Sequence, residues 1–121
     1  MEKQVDALLK NDMQAFIRLA RESGDSSIKW LQNAYSTQNV AFQGISLALA
    51  MTEKYLAGKN SGACRVHGGG FAGAILVLLP AANTAEYSEQ IEKVFGPGSA
   101  RILSIRPYGT SYFDPFINGA L

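Results

Sequence analysis

"GACRVHGGGFAGAILVLLP", residues 62–80, sets five of the chain's twelve glycines immediately before an unbroken apolar run. Residues 63–67 and 74–79 read as two strands flanking the glycines, the second partly β-branched and ended by Pro80. Glycines commonly serve turns and bulges, and a bare turn accounts for a pair of them. Five within twelve residues, interleaved with Arg65, His67 and Phe71, imply close approach of this backbone to another backbone or to a ligand, which a Cβ would block.

Upstream, Val5, Leu8, Leu9, Met13, Phe16, Ile17 and Ala20 share one stripe, which predicts a single amphipathic helix over 2–22, ended by Ser23 and Gly24. Asp25 suits the cap of a second, shorter helix reaching Tyr35, with Ile28, Leu31 and Tyr35 inward and Trp30 in the core beside them. A third helix, 40–57, is apolar nearly all round through Val40, Phe42, Ile45, Leu47, Leu49 and Met51, and such a helix is buried on most sides. Gly58 can close it in a left-handed conformation.

Downstream, Asn83 and Glu86 have capping-box spacing ahead of a fourth helix with Tyr87, Ile91, Val94 and Phe95 on its apolar face. Gly96-Pro97-Gly98 stops that helix, and "RILSIR", 101–106, reads as a last strand closed by Pro107. The tail 108–121 has no clear period and reads as a loop or partly ordered segment. Helices and short strands in this order give an α+β class: an antiparallel sheet with helices packed on one face, in one domain over 1–107.

At 121 residues the chain buries roughly two thirds of the surface that its unfolded form exposes. A net charge of +1 points to neither nucleic acid nor an anionic membrane surface. Cys64 is the single cysteine, so no intrachain disulfide forms, and one Cys with one His makes no structural zinc site. The longest apolar run, 74–82, falls far short of the ~20 residues that span a bilayer. The first residues show no secretory pattern, and a cytoplasmic location is the expectation.

Gly68, Gly70 and Gly73 satisfy the letters of G-x-G-x-x-G. The dinucleotide fingerprint needs a helix after the loop, where this chain has "AILVLLP", and a Walker loop needs a Lys and Ser/Thr that are missing. Protein kinases place such glycines between two strands, but with a lysine on the second strand; here the next lysine is Lys93, in the fourth helix.

"GACRVHGGGFAGA" resembles the third conserved motif of the GHMP small-molecule kinases, and specifically that of bacterial galactokinases, which carry GGGFGG after a strand. "ESGDSSIKWLQN", 22–33, is similar to the family segment upstream of that motif, and "VFGPGSARILSIRP", 94–107, to its closing helix and strand. The resemblance covers roughly residues 10–107. Ala72 stands where the family often has glycine and His67 where it often has Thr, so no hydroxyl contact transfers to His67. The family's sugar-recognition motif, phosphate loop and catalytic Asp and Arg have no counterpart here, so the chain looks like a C-terminal domain lacking its N-terminal half.

The resemblance implies a ferredoxin-like split βαβ fold and a parent enzyme that transfers the γ-phosphoryl of ATP, with Mg²⁺, to the anomeric hydroxyl of galactose. It also implies that Gly68, Gly69, Gly70, Phe71, Ala72 and Gly73 border the active site, against the missing domain's phosphate loop, and assist by positioning and electrostatics. No catalytic residue is expected in this chain, nor any cofactor bound to it alone. Cys64 reads as a small buried strand residue. His67 reads as a loop hydrogen-bonder, and Arg65 as either phosphate-facing or salt-bridged at a strand end. The competing expectation is a stand-alone, non-catalytic interaction or regulatory module of the same fold. A fragment with an uncovered face is in either case expected to form a homodimer.

Overall fold

β1 (Ala63–His67) and β2 (Ala74–Leu78) pair antiparallel, in a register running from Ala63↔Leu78 to His67↔Ala74, so residues 68–73 form the connection. The computed structural model describes residues 2–59, 61–71 and 73–105. Within them the chain is α+β, with four α-helices and this two-stranded sheet. No helix among the described residues is long and apolar enough to cross a membrane.

Side chains alternate across the pleat, and the register places Cys64 and Val66 beside Val77 and Ile75 on one face. Helix α3 (Gly44–Leu56) lays Ile45, Leu49 and Leu56 on that face, with Ala34 and Ile28 completing the core. Burying a side chain such as Val66 or Leu49 fully contributes roughly 1.5–3 kcal/mol. Gly58 does close α3, at φ +76°, with Lys59 N donating to Leu56 O at 2.9 Å. The helix starts at Gly44 rather than 40 because local side chains hold the preceding turn: Asn39 Oδ1 accepts from Ala41 N at 3.0 Å and Gln43 Nε2 donates to Val40 O at 3.1 Å.

The expected single helix over 2–22 is two: α1 (Glu2–Leu9) and α2 (Met13–Ser26). Asn11 turns the chain at φ +54°, and Asp12 caps α2 by accepting from Ala15 N at 2.9 Å. Instead of stopping at Gly24, α2 runs into a π-helical turn, Ser27–Leu31, and Gln32 ends it in the left-handed conformation. A π turn changes the angular phase of the side chains that follow. Trp30 and Leu31, expected in the core, therefore stand 74% and 65% exposed, while Ile28 stays against the core.

Helix α4 (Thr84–Phe95) forms without the expected capping box. Glu86 instead accepts a hydrogen bond from Tyr55 of α3 at 2.8 Å, and Thr84 Oγ1 donates back to Ala81 O. Tyr87 docks α4 on α3 through a buried hydroxyl contact with Thr52 at 2.6 Å. Gly96, at φ +93°, and Gly98, at φ +78°, end the helix as expected.

Residues 101–105 do not form the expected last strand. They are exposed, with Ile105 at 95%, and no strand among the described residues lies beside them to complete a ladder. The end of that segment, Arg106 and Pro107, and the tail 108–121 lie outside the described residues.

Candidate functional site

The β1–β2 connection is built from left-handed residues: Gly68 at φ +65°, Gly70 at φ +82° and Phe71 at φ +54°. For L residues this conformation costs roughly 1–2 kcal/mol, so glycine at 68 and 70 removes strain that Phe71 carries. The loop holds its shape by gripping Asn33, which follows Gln32 at the end of the π turn. Phe71 N donates to Asn33 O at 2.9 Å, and Asn33 Nδ2 donates to Gly69 O at 3.4 Å. Gly70 lies so close to the Asn33 backbone that a Cβ there would overlap the Asn33 carbonyl oxygen. Asn33 itself is buried, at 4% exposed, and its Oδ1 has no hydrogen-bond partner among the described residues.

Gly68 and Gly69 behave differently. Both are exposed, and a Cβ added to either would have no atom within 4 Å. Gly69 also has no left-handed φ. Nothing among the described residues thus demands a glycine at 69. Phe71 projects beside them, 60% exposed, and Gly73 approaches Gly70 O. Ala72 lies outside the described residues.

A second contact ties the same two stretches together. Gly24 of α2 packs directly on β1, where a Cβ would sit 2.9 Å from Cys64 O and 3.2 Å from Arg65 Cβ. Arg65 points to this helix: its Nη1 donates to Ser23 Oγ at 2.9 Å and its Nε to Val66 O at 3.3 Å, with no acidic partner among the described residues. Arg21 adds a bond from its Nε to Gly62 O at 2.7 Å. Residues 21–33 and 62–71, distant in sequence, are one packed unit.

His67 ends β1 exposed, next to the open glycines, and makes no side-chain hydrogen bond among the described residues, contrary to expectation. Cys64 is buried in the core, as expected. Burial, reinforced by the negative charge of Glu53, pushes its thiol up to about 11, so it stays protonated and unreactive near neutral pH. Asn33 is the site residue that sequence reasoning missed. It carries no periodicity signal, and only its place at the end of "ESGDSSIKWLQN" marked its neighbourhood.

Chemically, the site offers exposed backbone from a loop whose base is fixed. It has no nucleophile–base pair among the described residues. Searched against protein-family models, curated proteins and solved structures, the chain matches none of them.

Proposed function

We propose that this chain is the C-terminal domain of a galactokinase of the GHMP kind, and that its glycine loop borders the site where the γ-phosphoryl of ATP passes to galactose. The observation that carries this reading is the meeting of two of the three stretches on which the resemblance rests: residues 22–33 and 62–71 converge through the Asn33, Ser23 and Gly24 contacts. The unhindered surface over Gly68 and Gly69 supports it too, because a close-fitting partner gives Gly69 a purpose that the domain itself does not.

In this reading ATP, Mg²⁺ and galactose are held by the missing N-terminal domain, and this chain supplies positioned backbone dipoles at the rim. The α+β class, with its antiparallel hairpin and four helices, is compatible with the ferredoxin-like arrangement that this reading implies. The exposed side chains of Trp30, Phe42, Phe71, Ile102, Leu103 and Ile105 suit a surface that a second domain covers.

The test is to join the coding sequence upstream of this chain to it, express the product and measure galactose-dependent ATP turnover. The expected result is turnover by the joined protein and none by the 121 residues alone. Galactose phosphorylation by the isolated chain, or none by a joined protein carrying the sugar and phosphate motifs, overturns the proposal. The same apolar side chains favour a second reading, a stand-alone interaction module that dimerises through them. Galactose-dependent turnover by the joined protein separates the two, since the isolated chain is expected to dimerise under both.

A further inference from the structure

Residues 68–73 connect the two strands, and among the described residues the contacts that hold this connection converge on Asn33. A loop of glycines has more conformational freedom to lose than any other sequence, so without an anchor it would sample many shapes. Asn33 restrains it from three directions: its carbonyl holds the Phe71 amide, its side-chain amide holds the Gly69 carbonyl, and its backbone abuts Gly70. Asn33 is in turn well placed to be rigid. It is buried, it follows a left-handed Gln32, and its neighbour Ala34 accepts a hydrogen bond from Ser46 Oγ of α3 at 2.9 Å.

We propose that Asn33 is the positioning residue of the glycine loop, setting the orientation of the exposed Gly68–Gly69 backbone without itself touching a substrate. Its functional meaning rests on the phosphoryl-transfer reading above. The clamp does not, and it can be tested in this chain as it stands. The side-chain amide matters because Gly69 O then faces a donor. Asn33→Ala removes the donor and leaves the backbone carbonyl, whereas Asn33→Asp puts a carboxylate against Gly69 O and repels it.

The experiment is site-resolved amide hydrogen exchange with ¹H–¹⁵N spectra of the wild-type chain, Asn33→Ala and Asn33→Asp. The Phe71 amide is expected to exchange about tenfold faster in Asn33→Ala, the size of one net hydrogen bond, and faster still in Asn33→Asp. The resonances of Gly68, Gly69 and Gly70 should shift, while the Ile91 amide in α4 should change less than twofold. Unchanged Phe71 exchange in Asn33→Ala, or acceleration of Phe71 and Ile91 by the same factor, overturns the proposal, because Asn33 would then be either idle or a general stabilising residue. Should Asn33→Asp fail to fold, Asn33→Ala alone decides. If the joined enzyme shows no phosphorylation of galactose, the phosphoryl-transfer reading falls while the exchange result still stands for the clamp.

Discussion

Gly69 and Gly70 are adjacent and of the same residue type, yet different forces keep them. Gly70 is left-handed and pressed on the Asn33 backbone, so the domain's own packing requires it. Gly69 is exposed, has no left-handed φ and faces empty space, so the domain's own packing does not. One side of the loop is thus part of the fold and the other is surface. A glycine-rich motif is a composite, and only a structure separates the glycines that build it from those that present it.

The comparison can be broken most forcefully at its packed end, Gly70. Gly70→Ala should destabilise the chain by about 3 kcal/mol, combining left-handed strain with overlap on the Asn33 carbonyl, as read from urea unfolding. Gly24→Ala tests the neighbouring contact. Its Cβ would press on Cys64 O, a backbone atom, and a loss of about 2 kcal/mol is expected in the same assay.

Cys64, whose carbonyl oxygen lies under the Gly24 contact, gives a pH-dependent readout. Burial pushes the folded thiol up from its ordinary 9.0 to about 11, so between those values the unfolded state releases a proton that the folded state keeps. Stability should be unaffected by this group below pH 9 and fall progressively from pH 9 toward 11. Cys64→Ala should flatten that part of the profile, and an unchanged slope would mean that the thiol is not shielded. At the exposed edge of the loop, His67→Ala should change stability by less than about 0.5 kcal/mol, as surface substitutions do. In the joined enzyme it should also reduce turnover less than Gly69→Val does.

The hairpin was legible because its signals are local. The unbroken apolar run, the glycines and Pro80 all lie within a few positions, and β1 has the expected bounds while β2 ends one residue early, at Leu78. Helix α4 and its glycine stop were legible for the same reason. Failures came where a residue's role depends on a distant partner. Glu86, spaced for a cap, is engaged by Tyr55, and the π turn rotates Trp30 and Leu31 outward. "RILSIR" has strand composition, but a strand forms only with a neighbour, and residues 101–105 have none among the described residues. Asn33 was invisible for the deepest version of this reason: what makes it part of the site is a loop that lies 36 residues on.

The most direct test of the division within the loop is a side-by-side urea unfolding measurement of Gly69→Val and Gly70→Val in the isolated chain. Valine is large enough to report on the space around each position and is poorly suited to a left-handed backbone. The predicted result is a midpoint for Gly69→Val close to that of the wild type, within about 0.5 kcal/mol, and a loss of at least ~3 kcal/mol for Gly70→Val. Equal losses at the two positions would contradict the account, because the outer glycine would then be as much a part of the fold as the inner one.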